Sequence, residues 1–455
     1  MSNEPDEGNN PFKGTPFEQF FNALGGGAGA GGTGGIGFNA GTPGQPGGSL
    51  PDLNALFAQV QAMMQPHEGP LNWDLALDLA RKQAASESDP TPTQRQQDQV
   101  ADAVRLADHW LDETTDFPSG VTSTAAWSRA EWIVGTLDVW KGLVEPIAAS
   151  SVSALSQSMP EQMEGMGLPG LPGMGGGIVE MLQRAVGGML AQQIGSGLGA
   201  LAGEVLTASD IGLPLGAPGK AALVPANVTA FAEGLDVSED DVLLYLALRE
   251  AAHQRLFAHV PWLRDHLIGA VTDYATGLEI NTQRLQSNLE EQVRGLDLSN
   301  PESLQQLADG GMFDLGHGPE QEAALQQLEV TLALVEGWVD EIVGQATAER
   351  MPAADKLQEA VRRRRASGGP AEHTFASLVG LELRPRRLRD ASTLWASLRT
   401  RQGTEARDGV WMSPHLLPTA ADLDDPLGFR EDAAAPEELS DEDFDAQLKK
   451  LLDGE

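Results

Sequence analysis

Cysteine is absent from the 455 residues. That excludes a disulfide framework, a thiolate metal site and a cysteine nucleophile, so any metal would rest on histidine and carboxylate alone. Basic residues are scarce. Thirty Lys and Arg face 66 Asp and Glu, a formal charge of −36, which opposes non-specific binding to nucleic acid or to an anionic membrane surface. No nucleic-acid partner is expected. Long apolar runs are missing too: the nearest approach, Ile178 to Leu206, is broken by Glu180, Arg184, Gln192, Gln193 and Glu204. A charge at the centre of a membrane helix costs roughly 2.5–3.5 kcal/mol, so membrane insertion is not expected. The stretch Met1 to Asn10 has neither the basic nor the apolar region of a secretory leader. A cytoplasmic location is the expectation that follows.

Glycine and proline are plentiful, 52 and 28, but clustered. The run Gly25 to Gly48 cannot bury enough apolar surface to offset its ordering entropy, so residues 1–50 are expected to form a disordered tail. Residues 431–455 hold ten acids against two lysines, the composition of a solvated acidic tail. Between them, 51–430 is expected to fold as one helical domain.

Within that domain apolar residues recur every three or four positions. Leu53 to Met63 reads as a helix. Asn72 is placed to cap a second, Trp73 to Ala85, and two more follow over Gln96 to Glu113 and Arg129 to Val144. Gly195, Gly199 and Gly203 fall four apart on a helical run, a spacing that lets another helix come close, here within the domain. Asp210 to Pro225 reads as an irregular connection. Ser238 caps a helix reaching about Ala258, Pro261 opens another, Pro319 opens a long one to about Glu349, and Pro352 starts one ending in Arg362 to Arg365. Only Thr374 to Leu383 shows a period of two. The fold class is mainly α.

The chemistry concentrates in Arg249-Glu250-Ala251-Ala252-His253. This is H-E-x-x-H with its first position changed. In the intact motif two imidazoles four apart on one helical face hold zinc, and the glutamate between them polarises the metal-bound water. Arginine cannot replace the missing ligand, because its guanidinium stays protonated and offers only donors. His259, six residues after His253, has the spacing of a third ligand in metzincins. Leu256, however, occupies the place of the glycine that turns the chain there, so a continued helix points His259 elsewhere.

Further segments stand beside this one as recognisable stretches: Gly69-Pro70-Leu71-Asn72-Trp73-Asp74, Trp127-Ser128-Arg129-Ala130-Glu131-Trp132, Asp210-Ile211-Gly212-Leu213-Pro214, Glu336-Gly337-Trp338-Val339-Asp340 and Gly380-Leu381-Glu382-Leu383-Arg384. With them, the chain from about Asn72 to Phe429 resembles the zincin-like metallopeptidase type 2 family of actinobacteria, catalogued as zinc-dependent metalloproteases or hydrolases. The resemblance implies a multi-helix zincin-like scaffold with zinc as cofactor. It also implies Glu250 as general base, His253 and Glu336 as metal ligands, and Asp340 one turn further on as the acid that orients a histidine. With Arg249 in the first ligand position, two protein ligands remain, and two rarely retain zinc.

Two readings follow. In one, the chain is a catalytically degenerate family member, a binding or regulatory scaffold for an unidentified protein or peptide partner, using the former active-site cleft. An ion pair of Arg249 with Glu336 then replaces zinc as the link between two helices. In the other, it is an active zinc metallopeptidase with Glu250 as base and an unidentified compensating ligand. Arg362 to Arg365 and Arg384 to Arg389 are basic islands expected to meet helix dipoles or pair with the acidic tail.

Overall fold

The computed structural model describes residues 67, 69–165, 175–210, 212–273, 319–366 and 387–430. The expectations for 1–50, Leu53 to Met63, Thr374 to Leu383 and 431–455 lie outside the described residues.

The described chain is mainly helical, as the periodicity implies. Helix α1, Trp73–Ala84, starts where Asn72 Oδ1 accepts from Leu75 N at 3.0 Å, and it buries Ala76, Ala80 and Ala84. Helix α2, Gln94–Leu111, begins two residues earlier than expected, because Thr93 and Gln96 form a reciprocal capping box. After strand β1, Ser123–Ala126, helix α3 spans Arg129–Gly165. Its start is fixed by a second reciprocal pair, Glu131 N to Ser128 Oγ and Ser128 N to Glu131 Oε2, and by the Asp89 carboxylate, which accepts from Arg129 N and Ala130 N. It runs well past the expected end at Val144.

Helix α4, Gly175–Glu204, lies on α1. A methyl group on Gly195 would come within 2.5 Å of the Ala76 carbonyl oxygen, and one on Gly199 within 2.5 Å of Gln83 Cβ. Two of the three spaced glycines therefore admit α1 against α4, inside the domain, whereas Gly203 has nothing within 4 Å.

The segment read as an irregular connection contains strand β2, Lys220–Leu223, paired in parallel with β1 in the register Ser123 to Lys220 through Ala126 to Leu223. Ser-Thr-Ala-Ala and Lys-Ala-Ala-Leu are too short and too weakly patterned to show a period of two. Helix α5, Pro225–Ala232, follows.

Helix α6, Glu239–His259, is capped by Ser238 Oγ accepting from Asp241 N at 3.1 Å. From Tyr245 to Leu256 every residue is buried. A helix enclosed on all sides is normally apolar throughout. This one carries Arg249, Glu250, His253, Gln254 and Arg255 into the interior, and each needs a partner there. Residues 261–273 are helical again. Helix α7, Pro319–Thr347, packs against α6 and against α9, Leu388–Gly409; the intervening α8, Ala354–Ala366, touches both α6 and α7. Two short 3-10 turns and α10, Ala420–Asp424, complete the described chain.

Two of the buried charges are structural. Arg255 donates to Asp108 Oδ1, to Asp112 Oδ1 at 2.7 Å and to the Asp108 and Phe117 carbonyls, tying α6 to α2. Arg407, fully buried on α9, pairs with Glu341 Oε2 of α7 at 2.6 Å, with Asp408 Oδ1 at 2.8 Å and with the Thr114 carbonyl.

Candidate functional site

Glu336 sits at the centre of the cluster that α6, α7 and α8 build, and is fully buried. Its Oε2 accepts from Arg249 Nη2 at 2.5 Å, and its Oε1 lies 2.9 Å from His253 Nε2 and 3.1 Å from Arg365 Nη2. Arg249, His253 and Arg365 are themselves buried. The helical repeat explains the α6 contribution: positions 249 and 253 are one turn apart and share a face.

The electrostatics follow from that packing. Burial pushes the Glu336 carboxyl upward, but the cations Arg365, His253 and Arg249 outweigh it and hold the pKa at about 2. Burial likewise works against charge on Arg249, and Glu336, Tyr245 and Asp340 overcome it, so its pKa is raised. The imidazole of His253 faces acceptors on both sides: Nδ1 is 2.8 Å from the Arg249 carbonyl oxygen, and Nε2 faces the ionised Glu336.

One turn further along α7, Asp340 Oδ2 accepts from Arg362 Nη2 at 2.5 Å, from Ser392 Oγ at 3.0 Å and from Gln358 Nε2 at 3.1 Å. Its Oδ1 stands 3.7 Å from Arg249 Nη1. Asp340 thus engages the guanidinium side of the cluster, while the His253 Nδ1 position implied for an orienting acid is taken by backbone.

Glu250 is held apart from these contacts. Its Oε2 accepts from Ser209 N at 3.1 Å and its Oε1 from Gln254 Nε2 at 2.9 Å. Burial raises its pKa, with His253, Gln254, Thr207 and Ser209 acting in the opposite direction. The turn that supplies Ser209 also presses Gly212 onto the site. At φ +78 a side chain would be strained, and its Cβ would lie 3.0 Å from Glu336 Oε1.

Four residues named from the sequence, Arg249, His253, Glu336 and Asp340, therefore meet in one cluster. His259 does not join them: α6 continues without a turn and the imidazole stacks on Phe117, ring centres 5.9 Å apart. The sequence reading missed Arg365. Arg363, Arg364 and Arg365 do stand in the last turn of α8, as expected of a basic helix end, and Arg362, Arg364 and Arg365 in addition pair with Asp340, Asp210 and Glu336; the acidic tail lies outside the described residues. Arg362 and Arg365 are three apart on α8, and Glu336 and Asp340 four apart on α7, so the two pairs match once the helices pack.

Residues of this kind fit a metal poorly. Both Glu336 oxygens are committed to guanidinium groups, and among the described residues no three His, Asp or Glu side chains are grouped to hold an ion.

A helix bearing E-x-x-H packed on a helix bearing E-G-x-x-D, within a mainly helical body, defines a zincin-like scaffold. The chain belongs to the zincin-like metallopeptidase family, whose profile matches residues 71–429. Its backbone is similar to the crystal structure of a protein from Chloroflexus aurantiacus, assigned provisionally as a hydrolase with a novel fold, at a TM-score of 0.52 and 20% identity over 78% of this chain and 96% of that one. That identity speaks to the fold alone. No curated protein matches the chain. Among the described residues, no helix is long and apolar enough to cross a membrane.

Proposed function

We propose that this chain is a catalytically degenerate member of its family, acting as a binding or regulatory scaffold, in which two arginines occupy the role the metal is implied to have. The observation that carries the proposal is the Glu336 carboxylate shared between Arg249 and Arg365. Two fixed positive charges on one buried carboxylate supply the charge of a divalent ion, and they tie α6 and α8 to α7 without any ligand exchange. A hydrolytic site needs an open coordination position for water and substrate, whereas Glu336 and Glu250 are fully enclosed and Arg249 and His253 nearly so. Recognition would accordingly fall to the surface rather than to the cluster.

Thermal unfolding tests this reading. Removing one partner of a buried ion pair leaves an uncompensated charge at a cost of about 3–5 kcal/mol. Arg249→Ala is therefore expected to melt well below the wild type, and neither chelator nor added zinc is expected to move the wild-type midpoint. A wild-type midpoint that rises with zinc and falls with chelator, with Arg249→Ala unchanged, would favour the competing reading of a zinc hydrolase that uses Glu250 as base.

A further inference from the structure

Trp127, Ala130 and Glu131 take no part in the buried cluster, yet they line a surface hollow of about 490 Å³. Trp127 follows β1 directly, and its N donates to the Leu223 carbonyl at 2.8 Å, which fixes the residue at the end of the parallel pair. Its indole lies against α3 where Gly135 leaves room: a Cβ there would come within 2.7 Å of Trp127 Cη2 and Cζ2. Around this ring, Ala130 and Val134 of α3 and Ala217 form an apolar lining, and Val134 is 49% exposed. The volume lies in the range of small-molecule sites, which are mostly apolar with a few polar groups at one side.

Those polar groups are Arg81, at the end of α1, and Lys220, at the start of β2, together with Glu131. Glu131 already serves as the cap partner of Ser128 N. Among the described residues neither the Arg81 guanidinium nor the Lys220 ammonium has an ion-pair partner, although most arginines of this acidic chain are paired. Lys220 is held in position by the turn before it: Gly219 has φ +75, and a side chain there would meet Thr122 Oγ1 at 2.6 Å.

We infer that this hollow binds a small amphipathic monocarboxylate, its aromatic or branched apolar body on Trp127 and Val134 and its carboxylate between Arg81 and Lys220. A single negative charge is favoured over an acidic peptide, because a chain of net charge −36 penalises every further negative charge brought near it. The inference does not rest on the fate of the metal site. It does supply an accessible recognition surface, which the buried cluster is not. The Lys220 carbonyl also accepts from Gln254 Nε2, the group that bonds Glu250, so the hollow and the E-x-x-H helix share a hydrogen-bonded link.

Calorimetric titration of the full chain with 3-phenylpropionate, octanoate and indole-3-acetate tests this, with 3-phenylpropanamide as the neutral counterpart of the first. At least one acid is expected to bind saturably at one site. The amide should bind roughly tenfold more weakly than 3-phenylpropionate, since charged hydrogen bonds are lost. Arg81→Gln/Lys220→Gln should reduce acid binding by a similar factor and leave the amide unchanged, and Val134→Asp should weaken both. All three positions are at least partly exposed, so circular dichroism should show folded variants. Absence of saturable binding by all three acids, equal binding of acid and amide, or undiminished binding by the double variant would overturn the inference.

Discussion

Arg249 changes the chemistry of its position in a way no neutral residue would. A histidine there would present a lone pair to a metal, whereas the guanidinium presents only donors and a permanent charge. It reaches Glu336 at 2.5 Å from a nearly enclosed position. The space beside the carboxylate leaves no room for a side chain at position 212. Gly212→Ala would add strain at φ +78 and place a methyl 3.0 Å from Glu336 Oε1, so a loss of about 1–3 kcal/mol is expected in chemical denaturation. A neutral effect would mean that the turn gives way without disturbing the pair. At this scale the sequence named four members of the cluster, Arg249 and His253 from the altered H-E-x-x-H spacing and Glu336 and Asp340 only through the family resemblance. It did not show Arg365, since four successive arginines look alike until packing selects which of them face inward.

At the scale of elements, α7 and α8 meet through a charge ladder. Glu336 faces Arg365 and Asp340 faces Arg362, the later acid against the earlier base, as antiparallel neighbours require. The ladder acts together with the buried Leu357 and Val361 to hold α8 on the core. Between α1 and α4 the contact is of another kind, set by absent side chains. Gly199→Leu should push the helices apart, since even a Cβ would lie 2.5 Å from Gln83 Cβ and 2.7 Å from the Ala80 carbonyl. Overpacking of this sort costs about 1–3 kcal/mol. The same change at Gly203, which meets nothing within 4 Å, should cost less, and equal losses at both positions would refute this assignment. The helices were legible from caps and periodicity. The β1 and β2 pair was not, because its stability comes from a partner nearly a hundred residues away rather than from any local pattern.

For the whole molecule, the cluster links stability to pH. Glu336 has a folded pKa of about 2, below the ordinary value of 4.5. Its contribution is therefore fully present above about pH 4.5 and is lost as pH falls toward 2. At 1.36 kcal/mol per unit this amounts to about 3 kcal/mol. Glu250 acts in the opposite sense: its pKa is raised by burial, so its contribution is present at low pH and lost as pH rises through the folded value. Denaturation curves at pH 5 and pH 3 should show the acid-side loss in the wild type and a flatter dependence in Glu336→Gln. An unchanged slope in that variant would place the acid sensitivity elsewhere.

All three scales meet in one claim, that arginines hold the position the family assigns to zinc. Metal content measures it directly, by mass spectrometry of chelator-free protein equilibrated with equimolar zinc and then desalted. The account predicts far less than one zinc per wild-type chain, no change in Glu336→Ala, and uptake once the cations are removed in Arg249→His/Arg365→Gln. About one zinc per wild-type chain, lost in Glu336→Ala, would contradict it and return the chain to the metallopeptidases in function as well as in fold.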